Sequence, residues 1–312
     1  MKTLILSHKA DIDGLSPVIF LNLIRTNLDV QLLNANDINV KVKEIIRNKS
    51  YKSYDEIYIT DLTLDEETCD LIMSTGYSDN FFSFDHHALN LIANNYPFGT
   101  AISTNDQGVN ECATSLFFKF LKNKYPDVFN NPAIEEYTEL VRLSDTWDWA
   151  KTNNLDANKL SDLLNILGRE EYIETYTKFF KENTQFKFTE SQLYLLDVEQ
   201  KRIQRYMEES EKTMFHANLC GHPCGIVFAE QHRSLLGNYL AEKYSYCLDF
   251  VVLINMQQGI SFRCNKNNVN VGSIATIYGG GGHVKASGAP MDNSLKREVI
   301  KLIMNDNNMF NN

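Results

Sequence analysis

Four clusters of acidic and imidazole side chains punctuate the first half of this chain, and each follows a short apolar run. They are His8-Lys9-Ala10-Asp11-Ile12-Asp13-Gly14, Thr60-Asp61, Asp85-His86-His87 and Ser144-Asp145-Thr146-Trp147-Asp148. The runs ahead of them are Leu4-Ile5-Leu6, Ile57-Tyr58-Ile59, Phe81-Phe82-Ser83-Phe84 and Leu140-Val141-Arg142-Leu143. The first three are short enough to be buried members of one sheet. In open α/β sheets the carboxyl ends of strands face the binding crevice. Repeated His and Asp at such ends predict one polyvalent metal site, assembled from segments distant in sequence, and hydrolytic chemistry.

The rest of the pattern fits that frame. Short strands alternate with helical periods up to about residue 150, the signature of βαβ units and a mostly parallel sheet. Helices are expected over 15–26, 40–48, 111–125 and 135–145. From 151 to about 215 strand signals vanish and helical periodicity dominates, so this stretch reads as a helical linker ending in one long helix. From 216 to 312 α/β character returns in a smaller domain, with strands at 226–228, 250–254 and 260–263 and a helix over 234–244. The fold class is therefore α/β in two lobes of 1–150 and 216–312. At 312 residues the chain exceeds what one core usually organises. The Asn-rich tail is expected to fray.

Composition removes several function classes. No apolar stretch reaches bilayer-spanning length, and the first residues lack a signal-peptide pattern, so a cytoplasmic location with no membrane partner is expected. A net charge of −10 argues against coating long nucleic acid through a broad basic face. It leaves room for a short phosphate-bearing ligand, which needs only a few local cations. Of six scattered cysteines, Cys220 and Cys224 lie with His216 and His222 within nine residues. The interleaved Gly221, Pro223 and Gly225 favour a turn there over a zinc site.

Each acidic cluster has a plain structural reading when taken alone. Asp-x-Asp-Gly is commonly a turn or helix cap, and Thr-Asp after a strand is commonly an N-cap. Their order and shared placement favour ligands for two divalent cations roughly 4 Å apart, able to clamp a phosphoryl group and activate water. Oxygen-rich donors with a few imidazoles suit Mn²⁺ or Mg²⁺. Asp11 and Asp13, on an extended segment or splayed in a turn, can serve different cations; Asp61 can bridge them; His86 and Asp145 can complete the shells. Asp148 competes with Asp145 for that role. Downstream, Gly279-Gly280-Gly281-Gly282-His283-Val284-Lys285-Ala286-Ser287-Gly288 offers backbone N–H groups to an anion. Arg263, at a strand end, is a second candidate phosphate clamp.

The ordered set SHKADIDG, ITDL, FDHH, LSDTWDW and GGGGHVKASG resembles the DHH phosphoesterase superfamily with its C-terminal DHH-associated domain. It is most similar to the branch of oligoribonucleases (nano-RNases) and cyclic-nucleotide phosphodiesterases. The resemblance covers nearly the whole chain and is least specific in the helical middle. It implies a Mn²⁺-dependent phosphodiesterase with two ions (Mg²⁺ or Co²⁺ as substitutes) and an active site in the interdomain cleft. By motif position it implies His8, Asp11 and Asp61 on one metal and Asp13, Asp61, His86 and Asp145 on the other. His87 would face the scissile phosphate, with Asp85 supporting the histidines. Arg263, Gly281, Gly282 and His283 would grip the substrate's phosphate or terminal nucleotide. The two residues between His8 and Asp11 depart from other branches, which have three or one, and this puts His8 in question as a ligand.

The expected function is hydrolysis of short RNA or DNA oligonucleotides from one end. The alternatives are hydrolysis of a specific small nucleotide (a cyclic mono- or dinucleotide, or 3′-phosphoadenosine 5′-phosphate) and non-catalytic nucleotide sensing. Inorganic pyrophosphatases resemble the first domain but lack a similar glycine-rich nucleotide pocket. The oligomeric state is left open, a homodimer included.

Overall fold

The computed structural model describes residues 1–304, side chains at 88–91, 150 and 303 excepted, so the Asn-rich tail lies outside the described residues. The chain divides into two units, Met1–Asp197 and the part from Val198 onward. The first contains β1 (Thr3–His8), α1 (Ile12–Ile24), β2 (Leu28–Leu33), α2 (Ile38–Arg47), β3 (Glu56–Thr60), α3 (Glu66–Ser74), β4 (Phe81–Asp85) and β5 (Gly99–Ala101). Helices α4 (Ala113–Lys124), α5 (Pro126–Phe129), α6 (Pro132–Asp145), α7 (Asp148–Thr152), α8 (Leu155–Leu167) and α9 (Arg169–Glu182) follow.

Its sheet runs β2-β1-β3-β4-β5 with every neighbouring pair parallel. Buried on both sides, the central strands carry apolar runs in their middles, and the period-2 alternation sorts those side chains between two cores. Ile5, Tyr58 and Phe84 pack with α1, α4, α6, α8 and α9. Leu4, Leu6, Ile57, Ile59 and Phe81 pack with Ile38, Val42 and Ile45 of α2 and Cys69 and Ile72 of α3. Helix α1 starts at Ile12, three residues before the predicted start. Asp11 caps it by accepting from Gly14 N–H at 3.0 Å, and its residues from Ile12 to Leu21 are buried all round. A helix buried on every side carries no amphipathic signal, which is why its first turn escapes a periodicity reading.

The stretch expected as a linker does not stand apart. Ala157, Leu160, Leu163 and Leu164 of α8 and Tyr172, Tyr176 and Phe180 of α9 belong to the first unit's larger core. Periodicity shows that these residues form helices without showing what they cover. Helix α10 (Glu190–Lys212) then carries the chain through the division at Val198.

The second unit holds β6 (Phe215–Leu219), β7 (His222–Phe228), α11 (Arg233–Lys243), β8 (Phe250–Asn255), β9 (Gly259–Arg263), α12 (Val271–Ile277), β10 (Gly281–Gly282), β11 (Ala286–Ala289) and α13 (Asn293–Met304). Its mixed sheet has the order β10-β11-β9-β8-β7-β6. Helix α12 covers one face with Phe250 and Phe262, and α11 covers the other with Val227, Val251 and Leu253. Cys220 and Gly221, both at positive φ (55° and 82°), form the two-residue turn between β6 and β7. That is the turn expected there, and the metal-competent groups among the described residues do not include it. Among the described residues no helix is long and apolar enough to cross a membrane.

Candidate active site

The strand order changes direction between β1 and β3, and ligands of such sheets bind outside the carboxyl ends at that switch point. His8 ends β1, Asp61 follows β3, Asp85 ends β4, and Asp13 lies in the first turn of α1. Asp61 takes φ +57° while 4% exposed, and its N–H donates to Phe84 C=O at 2.9 Å. A strained backbone at a buried acidic residue marks a position held for its side chain.

The two oxygens of Asp61 face different partners. Oδ2 lies 3.1 Å from His8 Nδ1, which is also 3.0 Å from Asp11 Oδ2. Oδ1 lies 3.5 Å from His86 Nε2, itself 3.7 Å from Asp13 Oδ2 and 3.4 Å from Asp145 Oδ2. His8, Asp11 and Asp61 form one group able to hold a metal ion; Asp13, His86 and Asp145 form another; Asp61, Asp85, His86 and His87 form a third.

Second contacts fix these side chains. Asp13, fully buried, accepts at Oδ2 from Ala113 N–H (2.9 Å) and at Oδ1 from Thr114 N–H (2.7 Å), the first turn of α4. These two donors are backbone amides and carry no sequence signal for this role, while Thr114 Oγ1 donates to Asp13 C=O at 2.7 Å. Asp85, also fully buried, accepts from Thr63 Oγ1 (2.9 Å), His86 N–H (2.8 Å) and His87 Nδ1 (2.7 Å). It is thereby a support for the two histidines, and the half-exposed His87 keeps Nε2 free of that bond. Asp148 is drawn away, pairing with Arg142 at 3.1 Å and Lys151 at 2.6 Å, so Asp145 is the fourth-cluster residue that joins the group. Gly14 is required by the approach of α1 to β1, since a Cβ there would lie 2.1 Å from His8 O.

The electrostatics call for cations. Burial, then the charges of Asp61 and Asp145, push the Asp13 carboxyl up to about 8. Burial, opposed by His86 and reinforced by Asp61, pushes Asp145 to about 6. Hydrogen bonds to Asp11 and Asp61 raise His8 to about 10. Burial disfavours the His86 imidazolium, yet Asp61, Asp13 and Asp145 outweigh it and raise the group to about 9. Asp145 Oδ2 is buried without a hydrogen-bond donor. A lone-pair oxygen left unsatisfied among crowded carboxylates fits a bound divalent cation, and the donor set of carboxylates and imidazoles suits a hard or borderline one.

The remaining candidates lie in the second unit. Arg263 donates to Phe262 C=O at 2.9 Å and Ser234 Oγ at 3.1 Å. Burial, with Arg233 nearby, lowers its pKa. Arg233 donates to Ser261 Oγ and Gln258 Oε1, and among the described residues neither arginine has a carboxylate partner. Two adjacent cations without counter-ions suit an anion; sequence reasoning missed Arg233, which gives no motif signal. Gly282 (φ +140°) is dictated by packing, because a Cβ would meet Ser287 Cα at 2.7 Å, whereas Gly281 is open to solvent. His283 is exposed, its N–H bonded to Ala286 C=O at 2.8 Å.

A parallel α/β sheet gathering two His/carboxylate groups about one aspartate at its switch point defines a class of metal-competent hydrolytic sites. No protein-family model matches the chain. Over 303 residues it is 30% identical to oligoribonuclease NrnB of Bacillus subtilis (strain 168), covering 96% of this chain and 74% of that protein. A solved structure of a pGpG-specific phosphodiesterase, PggH from Vibrio cholerae, shares the fold with a TM-score of 0.53 and 15% identity, covering 98% of each chain. The chain belongs to the DHH phosphoesterase superfamily, in the oligoribonuclease branch.

Proposed function

We propose that this protein is a Mn²⁺-dependent phosphodiesterase that hydrolyses short oligonucleotides. The observation that carries the reading is Asp61, whose two oxygens face two separate His/Asp groups. In this reading His8, Asp11 and Asp61 hold one cation and Asp13, Asp61, His86 and Asp145 the other. Divalent cations held there would supply charge neutralisation at the phosphoryl oxygens and activation of a water near neutral pH. The amides of Ala113 and Thr114 keep Asp13 oriented. Asp85 fixes the His87 tautomer by accepting from Nδ1 and favours the imidazolium, so Nε2 can give a proton to the leaving oxygen. Arg263, Gly281, Gly282 and His283 bind the phosphate or nucleotide end of the substrate. Six free cysteines are in keeping with a cytoplasmic location.

Two variants test these roles. Asp85→Asn is expected to lower kcat by about 10- to 100-fold, as loss of an orienting outer-shell partner does, with KM little changed. Arg263→Ala is expected to raise KM by about tenfold to a hundredfold, the worth of charged hydrogen bonds to phosphate. The reading as a whole is tested with purified protein and Mn²⁺ on end-labelled RNAs of two to five nucleotides, cyclic mono- and dinucleotides and 3′-phosphoadenosine 5′-phosphate. Mononucleotides released from the short RNAs are the expected product. Turnover confined to one cyclic nucleotide or to the bisphosphate would replace the substrate assignment, and binding without turnover of any of them would make the protein a sensor.

A further inference from the structure

Trp147 has no structural role that accounts for it. Its side chain is 70% exposed, yet its backbone sits at φ +61°, a conformation that favours glycine or asparagine and is an outlier for a bulky residue. An exposed indole kept on a strained backbone is contributing something other than core packing. Trp149 lies beside it, ring centroids 6.1 Å apart at an interplanar angle of 36°. The two indoles, with Asp11, Asp145, Asn158 and Ser161, line a pocket of about 300 Å³, the lower end of the range for small-molecule sites.

The walls differ in chemistry. Asp11 and Asp145 belong to different cation-competent groups, so a molecule filling the pocket adjoins whatever those groups act on. Asn158 and Ser161, which also line the pocket, are polar and uncharged. Ser161 Oγ is 2.9 Å from Ser144 Oγ, and the half-buried Asn158 amide has no hydrogen-bond partner among the described residues. Aromatic faces with a free amide and a hydroxyl suit a flat, neutral heterocycle with donors and acceptors on its edge. Indole, amide and hydroxyl carry no positive charge with which to hold a phosphate.

We propose that this pocket is a nucleobase subsite, in which one base of the substrate stacks on Trp147 and Trp149 and turns its polar edge to Asn158 and Ser161. The proposal rests on the phosphodiesterase reading and deepens it, naming what holds the nucleoside next to the scissile phosphate. An amide and a hydroxyl each serve as donor and acceptor, so the subsite tolerates different bases, as stacking platforms do.

The chain contains only two tryptophans, both in this pocket, so indole fluorescence reports on it alone. The test uses the full chain with Mn²⁺ and three dinucleotides: diadenosine joined by a 3′,5′-phosphodiester, and two counterparts each lacking one base. A fourth, with the scissile bridging oxygen replaced by carbon, serves as an uncleavable probe. The probe is expected to quench fluorescence saturably. The intact dinucleotide is expected to exceed one of the two abasic counterparts in kcat/KM by about tenfold to a hundredfold, the worth of one stacked base. In Trp147→Ala and Trp147→Gly that ratio falls toward one, whereas Trp147→Tyr retains most of it. The glycine variant, relieved of the positive-φ strain, is expected to melt at or above the wild-type temperature, which separates lost stacking from lost folding. Equal losses on intact and abasic substrates, or binding of the probe by calorimetry without quenching, would overturn the subsite. If the wild type cleaves none of the dinucleotides, the short-oligonucleotide reading fails, and quenching by the uncleavable probe still decides the pocket.

Discussion

Asp61→Asn is expected to lower Mn²⁺-dependent phosphodiester hydrolysis by ~10³-fold or more, equivalent to ~4 kcal/mol of lost transition-state stabilisation. Asparagine is the informative replacement at this position. It is among the residues that most readily adopt positive φ, so the backbone at φ +57° is retained. It also removes one negative charge from a cluster that contains Asp11, Asp13 and Asp145. The variant is therefore expected to keep the fold while losing activity and cation binding together. A variant that folds and keeps more than about a tenth of the activity would contradict the role of Asp61 as the shared ligand.

Mn²⁺ is expected to raise the melting temperature of the first unit, and to do so more at pH 8 than at pH 6. Asp13 and Asp145 hold protons more tightly in the folded protein than their ordinary value of 3.8 allows, at about 8 and about 6. His86 and His8 do so relative to 6.5, at about 9 and about 10. A group with a raised folded pKa contributes its stability in full below the ordinary value and loses it as pH climbs through the folded one. All four act in the same direction, so the metal-free protein is expected to lose stability as pH rises from about 4 to about 9. Asp11 and Asp85, held low despite burial, by His8 and by His87 respectively, act oppositely and only as pH falls below their ordinary value. Cations compete with the protons on the four raised groups, so affinity increases with pH. At a hundred times Kd the gain is about 2.7 kcal/mol, or about 5–10 °C for a unit of this size. Melting curves with and without Mn²⁺ across that pH range check the sign. A shift that is absent, or larger at pH 6, would contradict the account.

Much of the fold was legible because its central strands are buried on both faces. Leu4–Leu6, Ile57–Ile59 and Phe81–Phe84 read as strands from composition alone, and β1, β3 and β4 contain them. The two edge strands were not legible. Strand β2 has no fully buried residue, and β5 is three residues long, so neither leaves an apolar run. Helices α8 and α9 were visible as helices, but their assignment to a linker failed because periodicity does not say which core a face joins.

The site divides in a similar way. His8, Asp11, Asp13, Asp61, His86 and Asp145 could be named from their positions after apolar runs. Which oxygen faces which imidazole could not, since that depends on a positive φ at Asp61 and on the start of α1 at Ile12. The choice between Asp145 and Asp148 needed Arg142, whose pairing with Asp148 is a tertiary fact. Arg233 had no motif to announce it, and the LSDTWDW motif contains both tryptophans without showing that they line a pocket.

The most direct measurement is anomalous diffraction at the manganese edge from a crystal grown with Mn²⁺. Two peaks are expected beside the Asp61 carboxylate, one also bound by His8 and Asp11 and the other by Asp13, His86 and Asp145. A single peak, or peaks that leave Asp61 uncoordinated, would contradict this assignment.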